Sequence, residues 1–529
     1  MAIKGRTVLR IAIAVIAASY LGYQYLHRAD KPATAASAAS PIAPPVETKE
    51  PSQPARIWRR GSLTFKSCEL GRPGSGATTQ AWCTTFDVPE NRDDPHSRRI
   101  GLRLAIARSD AQVPASDMAV LLSGGPGEAA TESWVLEAGA FADVRKHRDV
   151  VLLDQRGTGG SNPLSCENAE KNAEKDADDS ALTLDLNKLR KAVATCLDEV
   201  REKADPRFYT TTIAAQDLED VRKALGSPQF DLIGVSYGTR MAQQYLKHYP
   251  DSVRSVVLDS VVPNQVIFGE DFAINLDNAL KKDFASCMAV AACKQHFGDS
   301  MQTLYQLRDA LRANPHNVSF RDPETYETVV RPLTEYSLAS VVRMFAYQPE
   351  TAALLPLSIN AAAHGDVGPL LGQAKLLSGD LSGDMNSGMS MSVICSEDAD
   401  LLQPRPQDQN TILSNHLMDA IKAQCDVWPH GTRPADFHAP LKSDKPILML
   451  SGEFDPVTPP EYGAQILPGL TNGRQLVFKG QGHSLLPRGC MPQLLGKYID
   501  KPDPKQLDAS CLDKLGDTPA FIDFNGASP

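Results

Sequence analysis

The stretch Asp231-Leu232-Ile233-Gly234-Val235-Ser236-Tyr237-Gly238-Thr239 runs an apolar strand straight into a Gly-x-Ser-x-Gly turn, and a helical pattern follows it. Such a turn lifts a serine hydroxyl clear of a sheet, because small residues on both sides keep the tight bend free of clashes. The pentapeptide alone also fits an ordinary serine at a strand-to-helix turn. Its reading therefore depends on whether a base and an orienting acid follow.

Both follow, in the chain order that this geometry uses. The segment Lys445 to Leu450 reads as a buried parallel strand, and Ser451-Gly452-Glu453-Phe454-Asp455 carries an acid into the loop before Pro456. Arg474 to Lys479 reads as a last strand that opens into Gly480-Gln481-Gly482-His483. Open α/β sheets build their sites at the carboxyl ends of strands, so Ser236, Asp455 and His483 are the candidate catalytic residues. Two other acids compete for the orienting role: Asp259, at the end of the strand Ser255 to Asp259, and Glu453. Asp455 ranks first and Asp259 second.

Acyl transfer also needs N–H donors for an oxyanion. The residue after the nucleophile, Tyr237, supplies one. The apolar strand Ala119 to Leu122 enters Ser123-Gly124-Gly125-Pro126-Gly127, where glycines let the backbone approach a substrate, and Gly125 is the second candidate. No lysine follows in the phosphate-loop pattern, which argues against a nucleotide site.

A long interval separates Ser236 from Asp455, more than a few strand-helix units need. Its pattern turns helical over Phe272 to Phe297, Met301 to Leu311, Leu333 to Phe345 and Glu350 to His364. The expected architecture is thus an α/β core in two parts, 57–264 and 436–529, with a mostly helical cap inserted at 265–435. Caps of this kind roof a nucleophile and select substrates.

These blocks resemble the α/β-hydrolases of the prolyl iminopeptidase and tripeptidyl aminopeptidase type, serine exopeptidases that act on free peptide N-termini. The resemblance rests on Gly124 to Gly127, Asp154-Gln155-Arg156-Gly157-Thr158-Gly159-Gly160-Ser161, Gly234 to Thr239, Ser451 to Pro460 and Gly482-His483. It also includes Cys83-Thr84-Thr85-Phe86-Asp87-Val88-Pro89, and spans roughly Trp82 to Cys490. It implies a mostly parallel central sheet flanked by helices, with an inserted cap. Prolyl iminopeptidases usually carry a histidine before the two glycines, where this chain has Ser123, so no role is carried over for that histidine. Asp154 and Arg156 are expected to brace the loop beside the oxyanion site.

An aminopeptidase must hold an ammonium group near its nucleophile, and partly buried carboxylates do this well. The family commonly has an acidic residue after a cysteine placed like Cys395, which makes Glu397 and Asp398 the expected amine-binding residues. Peptides with free N-termini are then the expected substrates. The alternative is a carboxylesterase-type hydrolase acting on small esters.

Lys4, Arg6 and Arg10 precede the apolar run Ile11 to Leu26. Residues 1–27 are therefore expected to be an export signal or a membrane anchor, and 28–56, rich in Ala, Pro, Ser and Thr, a flexible tether. The expected location is periplasmic or secreted, or held at the inner membrane by an uncleaved segment. Ten cysteines fit disulfides in an oxidising compartment. Sequential pairing is the simplest assignment: Cys68 with Cys83, Cys166 with Cys196, Cys287 with Cys293, Cys395 with Cys425, and Cys490 with Cys511. No zinc-type spacing is present, so no metal and no cofactor are expected. A net charge of −10 argues against nucleic acid as a partner.

Overall fold

Twelve strands carry most of the organisation, in chain order β1 (Ile57–Arg60), β2 (Leu63–Gly71), β3 (Thr78–Pro89), β4 (Arg99–Ala107), β5 (Met118–Leu122), β6 (Val150–Leu153), β7 (Phe230–Val235), β8 (Val253–Asp259), β9 (His316–Arg321), β10 (Thr328–Leu333), β11 (Ile447–Gly452) and β12 (Gly473–Phe478). They belong to a computed structural model that describes residues 56–73, 76–166, 184–323, 325–373, 386–523 and 526–527. The expected signal or anchor at 1–27 and the tether up to residue 55 lie outside the described residues. Among the described residues, no helix is long and apolar enough to cross a membrane.

Ten of these strands form one sheet in the order β1-β2-β3-β4-β6-β5-β7-β8-β11-β12. From β6 to β12 neighbouring strands run parallel, while β1 to β4 extend the sheet antiparallel. The sequence accounts for the difference. Every residue of β5, β6, β7 and β11 is buried, as near-continuous apolar strands require when helices cover both faces. Burial is mixed along β2 and β3, as in antiparallel strands with one wetter face.

Alternate residues of β5 feed opposite faces. Met118, Val120 and Leu122 join a core under the helices Leu186–Arg201, Thr211–Leu225 and Tyr237–His248. Ala119 and Leu121 join a second core under Ala130–Glu137 and Met491–Asp500.

Between β8 and β11 lies the cap, with helices that include Phe272–Ala289, Ser300–Ala313, Glu335–Phe345, Leu355–Ala363, Ser387–Glu397 and His416–Cys425. It has its own apolar core, built around Leu276, Leu304, Leu338, Val342 and Leu355. The helix expected from Leu333 starts at Glu335. Thr334 Oγ1 accepts the Ser337 N–H and Ser337 Oγ accepts the Thr334 N–H, a reciprocal cap that fixes the start. The cap also holds an antiparallel hairpin, β9 with β10, which the helical pattern did not anticipate. Ala55–Pro529 forms one compact unit, so cap and core pack as a single body.

Five disulfides join Cys68 to Cys83, Cys166 to Cys196, Cys287 to Cys293, Cys395 to Cys425, and Cys490 to Cys511. Bonds of this number fit a protein that folds in an oxidising compartment.

Candidate active site

Ser236 sits between the end of β7 and the helix Tyr237–His248, at φ 53° and ψ −122°. That backbone is costly for a residue with a side chain and persists only where the surroundings enforce it. Here they do: the Ser236 N–H donates to Asp259 O at 2.9 Å, and the Thr239 N–H and Oγ1 both donate to Ser236 O. A Cβ on Gly238 would lie 2.0 Å from Leu122 O, so the elbow packs against β5 only because that residue is glycine. Tyr237 opens the helix, and the first N–H groups of a helix have no acceptor within it. Its N–H is free of intrahelical demand beside the nucleophile.

Asp455 follows β11 and His483 follows β12, both at the carboxyl edge of the parallel strands. His483 Nδ1 lies 2.8 Å from Asp455 Oδ2. Asp455 also accepts the N–H groups of Val457 and Thr458 and the hydroxyl of Thr458. Burial alone would raise the Asp455 carboxyl, but His483 and these donors hold it below the usual carboxylate range. Since an ionised carboxylate only accepts, the proton of the neutral imidazole is on Nδ1, which leaves Nε2 as the basic nitrogen. Burial pushes His483 down, yet the Asp455 charge and hydrogen bond, with Asp259 and Glu128 behind them, leave it raised above an ordinary histidine.

The competing acids serve the same loop differently. Asp259 Oδ2 accepts the N–H groups of Leu485 and Leu486, and Glu453 Oε2 accepts that of Gly480. Each braces the His483 loop, and neither hydrogen-bonds to the imidazole. Asp154 holds Thr131 and Gly160. Arg156 binds Asp217 through two nitrogens and also reaches the carbonyls of Glu90 and Phe208.

The expected amine-binding pair requires correction. Glu397 is fully buried, and its carboxyl accepts the N–H of Thr211 at 2.6 Å and its hydroxyl at 2.9 Å. Burial, with Asp398 adding to it, outweighs these donors and pushes Glu397 up to about 8, so near neutral pH it carries little charge. Asp398 is equally buried and pairs with Arg240 at 2.7 Å. Both acids dock the cap onto the core: Thr211 Oγ1 is 2.6 Å from the Tyr237 hydroxyl, and Arg240 lies on the elbow helix.

A different set of carboxylates borders the catalytic loops. Glu128, Glu132 and Glu137 line a cavity of about 310 Å³ together with Arg72, Ser123, Gly124, Val235 and Ser484. Glu128 Oε2 accepts the Gly124 N–H at 3.1 Å. The point that a Cβ on Gly124 would occupy lies 3.2 Å from both Glu128 Oε2 and Ser236 Cβ, so that carboxylate oxygen and the Ser236 Cβ are at most twice that distance apart. Burial raises Glu128 against the Gly124 hydrogen bond and the charges of His483 and Arg72. Burial, with Asp259 and Glu128 nearby, pushes Glu137 up to about 7, and its Oε2 has no hydrogen-bond partner among the described residues. Glu128 was overlooked in the sequence, although its place four residues after Gly124, just ahead of a helix, was a usable signal.

Several known proteins resemble this chain along most of its length. The Escherichia coli (strain K12) protein YuaR is 23% identical over 448 residues, covering 79% of this chain and 84% of the relative. The serine protease Hip1 of Mycobacterium tuberculosis (strain H37Rv) is 26% identical over 473 residues, covering 83% and 88%. The tripeptidyl aminopeptidase of Streptomyces lividans is 25% identical over 459 residues, covering 81% and 83%. Residues 120–488, which run from β5 past His483, match the family described by the alpha/beta hydrolase fold, and the chain belongs to that family.

Proposed function

We propose that this hydrolase is an exported serine exopeptidase, an aminopeptidase that acts through an acyl-enzyme on peptides with free N-termini. The observation that carries the reading is the buried Asp455–His483 pair at the sheet edge that also bears Ser236 on its elbow. Relatives named as a serine protease and a tripeptidyl aminopeptidase support the choice of peptides over esters.

In this mechanism His483 Nε2 takes the Ser236 proton as Oγ attacks the scissile carbonyl, and Asp455 stabilises the imidazolium that forms. The N–H groups of Tyr237 and Gly125 hold the oxyanion. As the C–N bond breaks, His483 returns the proton to the departing amine. Water, deprotonated by the same nitrogen, then attacks the ester carbonyl, and Ser236 leaves with the proton back on Oγ. Glu128, with Glu132 and Glu137 along the same cavity, is our candidate for receiving the substrate ammonium, because it accepts the Gly124 N–H beside the nucleophile and its charge already bears on Glu137.

The test compares the wild type with Ser236→Ala on aminoacyl and tripeptidyl amides, their N-acetylated forms, and small esters. The expected result is that unblocked peptides are turned over far faster than their N-acetylated forms, with activated esters cleaved only as a slower side reaction of the same serine, and that all turnover falls roughly a thousandfold or more in the variant. Wild-type turnover by Ser236→Ala removes the serine mechanism. Ester cleavage indifferent to N-acetylation makes the protein a carboxylesterase instead.

A further inference from the structure

The cap touches the catalytic loops at points where it could set their geometry. On the histidine loop, the His483 N–H donates to Tyr347 O at 2.8 Å, and Gln348 Nε2 donates to His483 O at 3.0 Å. Both peptide groups of the catalytic base are thus fixed by two consecutive cap residues. The Tyr347 ring stands edge-on to the imidazole, with centroids 5.3 Å apart. A Cβ on Gly482 would lie 2.3 Å from Tyr347 O, so the glycine before the histidine is what lets the cap come this close. Gln348 is itself held, because its Oε1 accepts from Arg488, which also pairs with Glu350.

On the oxyanion loop, the Asn386 N–H and Nδ2 both donate to Gly127 O at 3.1 Å, and Ser390 Oγ donates to Pro126 O. Gly127 has φ +115°, and a Cβ there would lie 2.8 Å from Ser390 Oγ. Here again a core glycine accommodates a cap side chain.

We infer that the cap is part of the catalytic scaffold: Tyr347 and Gln348 position His483, while Asn386 and Ser390 position the loop that carries Gly125. These are positioning residues, since they act through backbone groups of the machinery and need not touch substrate. The inference rests on the serine mechanism proposed above and adds that acylation depends on cap contacts even for a substrate too small to be held by the cap. Displacing reacting groups by about an ångström costs on the order of a hundredfold in rate, so loss of one such contact should be visible in turnover.

The test uses the full chain with Gln348→Glu, Ser390→Ala and the double variant. Gln348→Glu keeps an acceptor for Arg488 but loses the donor to His483 O. Two readouts avoid dependence on peptide binding: the rate of phosphonylation by a small fluorophosphonate, and kcat and KM on p-nitrophenyl acetate. Each single variant is expected to lower the phosphonylation rate and kcat about tenfold or more, with KM within about twofold and an unchanged unfolding midpoint. The double variant should show roughly the product of the two losses, as separate sites do. The pH profile separates the two roles. Gln348→Glu adds a negative charge at the His483 carbonyl, facing Arg488 and Glu350; with Arg488 already shared with Glu350, the charge adds to those of Asp455, Asp259 and Glu128 on the imidazole and moves the acid limb upward in pH. Ser390→Ala lowers the plateau and leaves the limb in place.

Wild-type phosphonylation in both variants, with Ser236→Ala inert, overturns the cap inference and leaves the serine mechanism standing. Phosphonylation of Ser236→Ala at the wild-type rate overturns the mechanism itself. If a variant unfolds earlier, its rates are read well below its own midpoint, and Gln348→Asn and Ser390→Thr, which retain the polar group, should recover part of the lost rate. Full rates at a lowered midpoint would make the contacts purely structural and overturn the inference.

Discussion

Two acidic regions touch the elements that carry the nucleophile and its neighbouring loop, and they behave in opposite ways. The cap segment Glu397-Asp398 has its carboxyls enclosed by the chain, one on Thr211 and one on Arg240. The set Glu128, Glu132 and Glu137 borders a cavity, and only part of its hydrogen-bonding capacity is met internally. Asp398 Oδ1 also has no hydrogen-bond partner among the described residues, so access separates the two regions: the joint is shut inside the protein, whereas a carboxylate facing a cavity can meet a ligand. Local acidity in a sequence does not distinguish the two.

The largest expected effect breaks the joint. Asp398→Asn leaves the Arg240 guanidinium, itself almost fully buried, without its counter-charge, and should cost about 3–5 kcal/mol in a denaturant titration. A loss within error would mean that the pair does not dock the cap. Next comes the cavity. Glu128→Gln keeps an acceptor for the Gly124 N–H and removes the charge, so KM for unblocked substrates should rise about tenfold or more while that for N-acetylated esters stays put. Equal effects on both would remove Glu128 from amine recognition.

A smaller effect is read in pH. The catalytic base is neutral imidazole, so kcat/KM climbs as His483 loses its proton, with a midpoint above the ordinary histidine value of about 6.5 because Asp455 outweighs burial. Glu128→Gln withdraws a neighbouring negative charge, destabilises the imidazolium and should move this limb to lower pH. A shift the other way contradicts the proximity of the two groups. The smallest effect belongs to Glu397→Gln, which replaces a mostly uncharged carboxyl by an amide of the same shape. Selectivity between free and blocked N-termini should not change; if it vanishes here and survives in Glu128→Gln, the roles of the two regions are reversed.

What was legible in the sequence follows from range. Ser236, Asp455 and His483 announce themselves through neighbours: a strand before, glycines or prolines around, and a fixed order along the chain. The parallel strands are equally plain because burial on both faces makes them continuously apolar. Glu397 meets Thr211 across 186 positions, and no local pattern encodes that encounter. Tyr347 and Gln348 reach His483 from the end of an unremarkable amphipathic helix. The β9–β10 hairpin was hidden for a different reason: most of its residues are exposed or half-buried, so no strong alternation marks it, and Pro332 weakens the strand reading.

The disulfides pair in sequence order, with separations between 6 and 30 residues. If the chain is exported as proposed above, it can therefore close each bond as soon as its second cysteine emerges, with no thiol held in reserve for a distant partner. The last pair, Cys490 with Cys511, closes only after Asp455 and His483 have emerged. Oxidation is thus completed by a stretch of chain that follows the base, and every intermediate that ends between residues 236 and 483 carries a serine without its base.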